Sequence, residues 1–294
     1  MATRVPVAAP PATPPRVSLL NSVQVVENNE RWHAGVVWTP EACAEGGAMA
    51  ADCDLTPERN APATPDAVAS SPFYVWAADE CSTFGFQARD WQARARRQLE
   101  ATQSFQIARE LWTGAITKGS AAPGDESPYL ADDNTEVVGE SPESPRLAIA
   151  RLEAMAMRCM RGGRVMLHMS PMVFAMVTQE ARSPYIQLTG NVATTALGNI
   201  LVTDAGYTGQ QPDSVGDVDQ SEWIYATPPV QVRMDAVEVL PGSLDDARNM
   251  AMALDRPVNT ATVWAQRLVL YQLESCCRFA MQTDIARSLS QAFN

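Results

Sequence analysis

The chain has 294 residues, 46% hydrophobic and 19% charged, with 22 Lys plus Arg against 34 Asp plus Glu, a formal net charge of −12. That composition excludes a disordered tail, and six Cys are too few for a disulfide-built miniprotein. The acidic excess argues against gripping nucleic acid by counterion release, which needs basic stripes.

No apolar run approaches the ~18 residues that span a bilayer. The Pro- and Ala-rich start lacks the apolar core of a secretory signal. A protein made in a reducing cytosol, with no membrane partner, is therefore expected. Residues 1–16 contain Pro6, Pro10, Pro11, Pro14 and Pro15; proline fixes φ and removes a donor, which predicts an extended, polyproline-like arm. Val17 to Val26 and Trp32 to Trp38 are β-branched and aromatic stretches that read as short strands. Residues 40–72 carry Gly46-Gly47 and prolines at 57, 62, 65 and 72, a density of breakers that predicts a long loop. Loops beyond ~15 residues are uncommon without a task. Phe73 to Trp76 reads as the next strand, pairing with Trp32–Trp38 as a hairpin.

From Ala88 to Trp112 the spacing changes to that of a helix. Trp91, Leu99, Phe105 and Trp112 are its predicted core face, and Gly114 stops it. A second loop runs from Gly114 to Ser144. The following helix is punctuated by Ser144 as N-cap, Pro145 at its first position and Gly162-Gly163 past its end. Val165–Met169 is a predicted buried strand and Met172–Gln179 a short helix. Gly198–Val202, Trp223–Tyr225, Val230–Met234, Val237–Leu240, Thr260–Gln266 and Arg278–Gln282 are predicted strands. Long helices, short strands and long excursions make the fold class α+β.

Catalytic chemistry is hard to assemble from what is present. Of two histidines, His33 lies beside Trp32 and His168 in a run of methionines, where a hydrogen-bonded core His is expected. Cys43, Cys53, Cys81, Cys159, Cys276 and Cys277 form no CxxC pair, and free thiols are the default. There is no P-loop, GxGxxG, GxSxG or HExxH. No catalytic, cofactor or metal residues are assigned, and the expectation is a non-enzyme without cofactors.

The order of the elements carries more than any motif. A long helix ending in Ala108-Arg-Glu-Leu-Trp-Thr-Gly114 resembles the spine helix of tailed-phage major capsid proteins and encapsulins. Ala148–Met160, Arg164-Val-Met-Leu-His-Met-Ser-Pro171 and Leu197-Gly-Asn-Ile-Leu-Val202 are similar to that family's second helix, strand-then-Pro-capped helix, and Leu-Gly-x-x-Val strand. Trp223–Tyr225, Arg233–Glu238, Asp245-Asp246, Asn249, Asn259–Arg267 and Phe279–Asp284 resemble its closing stretch.

The resemblance implies a Hong Kong 97-type capsid fold. Its expected parts are an N-terminal arm (1–30), an E-loop with flanking strands (31–84), and the spine helix, connecting loop and second long helix of a P-domain (85–160). An A-domain region (161–222) and returning P-domain strands with the C-terminus (223–294) complete it. It implies the major capsid protein of a double-stranded DNA tailed phage, assembled in the host cytoplasm into the icosahedral head of a virion. Its partners would be itself in hexamers and pentamers, a separate scaffolding protein, a portal, possible decoration proteins, and packaged DNA only by non-specific contact. Arg4, Arg16, Trp38, Cys43 and Cys53 are the expected inter-subunit contacts.

Two departures stand out. Relatives that cross-link through a Lys–Asn isopeptide need a lysine in the E-loop, whereas the one lysine here is Lys118. Only a short arm precedes the first strand, so a cleaved scaffolding segment is not expected. An encapsulin shell is the nearer alternative, although residues 1–16 cannot form the amphipathic helix with which encapsulins begin. A metal-dependent hydrolase with Asp-rich loops is the more distant one.

Overall fold

The computed structural model describes residues 13, 15–27, 32–42, 66–82, 88–120, 126–179, 185–213, 215, 222–241, 254–255 and 260–285. Arg4, Cys43 and Cys53, and half of the residues of the expected arm and E-loop regions, lie outside them.

A 26-residue helix, α2 (Ala88–Thr113), lies on a six-stranded sheet whose hub is the 13-residue strand β14 (Thr260–Gln272). Along one side of β14 run β11 (Gln231–Met234), β12 (Glu238–Leu240) and the bridge strand β13 (Leu254–Asp255). Strand β1 (Gln24–Glu27) adds parallel to β11. On the other side β4 (Phe73–Ser82) pairs antiparallel with Thr260–Val269 over its whole length. Phe73 and Val75 alternate with Tyr74 and Trp76, and Val263 and Ala265 flank Trp264. One face thereby packs on α2 and the other meets solvent.

The expected hairpin of Trp32–Trp38 with Phe73–Trp76 is corrected here. Only Val36–Trp38 is a strand (β2), and it pairs with β3 (Val68–Ser70) as an isolated two-stranded ribbon. The ten-residue β4 instead finds a partner of matching length in β14, which satisfies many more main-chain groups. The strand expected over Val17–Val26 is also divided, into a four-residue helix α1 (Leu19–Ser22) and β1.

The second layer is a seven-stranded sheet in the order β5-β15-β10-β6-β9-β8-β7. It joins β5 (Glu136–Val137), β6 (Met166–Met169), β7 (Ile186–Thr189), β8 (Val192–Thr195), β9 (Ile200–Thr203), β10 (Glu222–Thr227) and β15 (Phe279–Thr283). The expected division of the chain at 222–223 cuts across this sheet, because β10 pairs with both β6 and β15. The β7–β8 hairpin was missed in the sequence, although Gly190-Asn191 between two polar-apolar runs is a hairpin signal.

Helix α4 (Pro145–Cys159) covers this sheet, burying Ala148, Ile149, Leu152 and Ala156. Ser144 occupies the expected N-cap position with extended φ and ψ, but its hydroxyl makes no cap bond. Helix α3 (Thr117–Ser120) and helix α5 (Pro171–Gln179) complete the described elements.

Within α2, Trp91, Leu99 and Trp112 are buried, but Phe105 is 41% exposed, a correction to the expected core face. The buried positions advance in steps of four, Trp91, Ala95, Leu99, Ile107 and Leu111 among them, and so creep around the helix. Phe105 lies two residues, roughly 200°, from Ile107 and faces the opposite way.

The free-thiol expectation is corrected too. Cys159, at the end of α4, is disulfide-bonded to Cys277 in the turn between β14 and β15, with 5.6 Å between Cα atoms. Cys276 is also disulfide-bonded. A sequence separation of 118 residues hid the Cys159–Cys277 pair from any spacing rule.

Candidate subunit interface

Tyr74 and Trp76 on β4 and Trp264 on β14 project from the side of the six-stranded sheet away from α2. They are 55%, 50% and 42% exposed, and Leu240 on β12, opposite Trp264, extends the patch. The Trp76 and Trp264 rings are 5.1 Å apart and tilted at 55°. The main chain of Trp76 is bonded to α2: its backbone N–H donates to Gln106 Oε1 at 3.2 Å, and Gln106 Nε2 donates to its carbonyl at 3.0 Å. The Gln106 side-chain amide on α2 thus satisfies main-chain groups of β4 that no described strand pairs there. Aromatic side chains so grouped and exposed are the kind of surface that another protein covers.

Both ends of the segment 43–65 are fastened to this frame. At its start, the N–H groups of Glu41 and Ala42 donate to the Glu274 carboxylate at 3.3 and 3.0 Å. At its return, Ser70 Oγ donates to the Tyr271 carbonyl at 2.6 Å, and Ser71 N–H donates to Ser127 Oγ at 2.9 Å. Just before the first anchor, strand β2 of the ribbon carries Val37 exposed and Trp38 half-buried.

The N-terminal residues are anchored as well. Arg16 donates through Nε to Gly190 O of its own chain at 2.8 Å. Asp204, buried at the end of β9, accepts from Leu19 N–H at 3.1 Å, Ser104 Oγ at 2.6 Å and Gly206 N–H at 3.1 Å. One carboxylate joins α1, α2 and the second sheet, a role that nothing in the sequence marks.

Three of the described polar side chains, His168, Lys118 and Glu153, are each engaged in hydrogen bonds within the fold. His168 is fully buried, its Nδ1 2.8 Å from Tyr207 Oη and its Nε2 2.9 Å from Thr227 Oγ1. Burial pushes its pKa down to about 3, so the ring is neutral. Lys118 Nζ donates to Asp213 Oδ2 at 2.6 Å and to Tyr129 Oη at 2.7 Å. The hydrogen bond to Asp213, then that to Tyr129, raise its pKa and keep it a charged ammonium. Glu153, buried on α4, accepts from Tyr185 Oη at 2.9 Å, from Asn199 Nδ2 at 2.6 Å and from Thr195 Oγ1. Among the described residues no three His, Cys, Asp or Glu side chains gather to hold a metal ion. Likewise no described helix is long and apolar enough to cross a membrane.

No family model matches the chain. No curated protein matches it either. Solved structures do match over nearly its whole length. A structure from Mycobacterium phage Ogopogo aligns with a TM-score of 0.54 at 13% identity, covering 97% of both chains. The capsid of an empty GTA particle aligns at 0.52 and 9% identity, covering 96% of this chain and 95% of that one. The chain has the Hong Kong 97-type capsid fold.

A Gordonia phage Cozz structure also aligns, with a TM-score of 0.50 at 8% identity, over 90% of this chain and 85% of the other. On the Hong Kong 97-type fold, the expected α+β class and order of long helices stand. At such low identity the shared property is the path of the chain.

Proposed function

We propose that this chain is the major capsid protein of a double-stranded DNA tailed phage, a tile of an icosahedral head. The single observation that carries this reading is the match to capsid structures over almost the full length of both chains. The exposed Trp76–Trp264 face supports it, because a lone subunit leaves those aromatics in water whereas a shell covers them. In this reading residues 1–30 form an N-terminal arm and 31–84 an E-loop with its flanking strands, both reaching neighbouring copies.

The particle assembles from hexamers and pentamers in the host cytoplasm, with a separate scaffolding protein and a portal. Its net charge of −12 keeps packaged DNA to non-specific contact. The function is structural, with buried interface area in place of an active site. Expression of the full chain, alone and with candidate scaffolding proteins, followed by size-exclusion chromatography and negative-stain microscopy, tests it. Capsomers or closed particles are the expected outcome; a stable 31.9 kDa monomer under every condition would overturn the reading.

A further inference from the structure

The Cys159–Cys277 pair is placed where the frame around it is complete without the bond. Cys159 closes α4, whose Ile149, Leu152 and Ala156 pack with Phe279 and Met281 of β15 in one buried cluster. Cys277 sits in the turn that carries the chain from the six-stranded sheet into the seven-stranded one, at φ 53, a left-handed value unusual for a residue with a Cβ. That turn is held by Arg278, which is itself buried. Arg278 Nε donates to Ser275 O at 3.2 Å, and its Nη1 donates to Tyr129 O at 2.9 Å and to Asp132 Oδ2 at 3.2 Å. Packing and the guanidinium therefore hold both segments through contacts separate from the bond. Access is one-sided: Cys159 is exposed, while Cys277 is 6% exposed.

We propose that Cys159–Cys277 is a staple closed after assembly, when the shell leaves the reducing cytosol; this timing rests on the capsid reading above. In the cell the pair stays as two thiols in an already folded subunit. Outside, the exposed Cys159 loses its proton to solvent, and its thiolate attacks a small-molecule disulfide, forming a mixed disulfide and expelling one thiolate. The Cys277 thiolate then attacks the Cys159 sulfur and expels the second. Two protein thiols are oxidised to one disulfide, one external disulfide is reduced to two thiols, and the released protons reprotonate the leaving groups. The closed bond ties a loop spanning both sheets, which restricts the unfolded chain and raises the melting temperature of each tile.

The test uses particles from full-length chain produced in a reducing cytosol and lysed into a thiol-alkylating reagent, with peptide mass spectrometry at residues 159 and 277. Expected are alkylated thiols at both positions, and a 159–277 linked peptide after incubation of unalkylated particles with oxidised glutathione. Closure should raise the melting temperature by on the order of 5–10 °C. Cys159→Ser should fold and assemble like wild type but lack that shift, which separates this bond from the one at Cys276.

A linked peptide already complete at lysis would overturn the proposal. So would equal oxidative shifts in wild type and C159S, or a C159S chain that cannot fold, since the frame is held to be sufficient without the bond. If no particles form, the capsid reading and the timing fall together, while the same mapping and melting on the isolated subunit still decide whether the bond is a dispensable staple.

Discussion

Gly206 lies so close to α2 that a Cβ there would sit 2.2 Å from the carbonyl oxygen of Phe105 and 2.7 Å from the amide nitrogen of Arg109. The loop after β9 therefore rests directly on the helix backbone, beside the Asp204 carboxylate that bonds Leu19 and Ser104. A similar contact ends the helix. Gly114 stands at φ +60, and a Cβ there would meet the Tyr129 ring at 2.4 Å.

The obstacle at Gly206 cannot swing aside as a flexible side chain would, since it is main chain of α2. Gly206→Ala should destabilise the subunit by about 1–3 kcal/mol or more, as overpacked sites do. Thermal unfolding of the subunit checks this; an unchanged melting temperature would show that the loop can lift off α2.

Glu153 gathers Tyr185, Thr195 and Asn199 and so ties α4 to the β7–β8 hairpin and the turn after it. Glu153→Ala strands the buried Thr195 and Asn199 donors and the half-buried Tyr185 hydroxyl, with an expected cost of about 3 kcal/mol. Glu153→Gln keeps an acceptor oxygen and should cost less. Hydrogen exchange across residues 185–199 should rise more in the Ala variant than in the Gln variant.

His168 makes stability depend on pH in a definite direction. Its pKa is lowered to about 3 from an ordinary 6.5, so the folded value is the depressed one and the unfolded chain takes the proton first as pH falls. The contribution of His168 is therefore complete above pH 6.5 and is lost between 6.5 and about 3, with a slope of at most about 1.4 kcal/mol per pH unit. Chemical denaturation of wild type and His168→Gln between pH 7 and 5, above most carboxylate titration, should give a flatter profile for the variant. Parallel profiles would mean that the ring is solvated in the folded state.

Trp76→Ser and Trp264→Ser should leave subunit melting within about 1 kcal/mol, because both side chains face solvent. Assembly should suffer far more. If these rings anchor a contact between copies, each change should raise the concentration needed for assembly at least tenfold, on the order of 1.4 kcal/mol per contact. Light scattering against protein concentration reads this, and an unaltered threshold would place the interface elsewhere.

Lys118 is bonded to Asp213 and Tyr129 of its own chain and held as an ammonium, which cannot attack an amide. Particles boiled in SDS with reductant should return one band near 31.9 kDa. A ladder surviving those conditions would reveal a covalent link between subunits.

Local chemistry determined a good deal of this molecule from sequence. The apolar spacing of Trp91, Ala95 and Leu99, the stop at Gly114, and Pro145 opening α4 specify both long helices, because helix periodicity and termini are short-range properties. The buried, hydrogen-bonded role of His168 was legible from its apolar neighbours in β6. The partner of β4 was not, because strand pairing is settled by competition among segments nearly 190 residues apart, and the long β14 outcompetes the short β2. Phe105 satisfied the helical spacing yet faces solvent, since the surface that buries α2 changes from β4 and β14 to the loop at Gly206 along its length. The exposed Trp76–Trp264 pair, the three-way Asp204 carboxylate and the Cys159–Cys277 bond likewise exist only once both sheets are assembled. Each depends on the distance between residues remote in the chain, a quantity that tertiary packing alone decides.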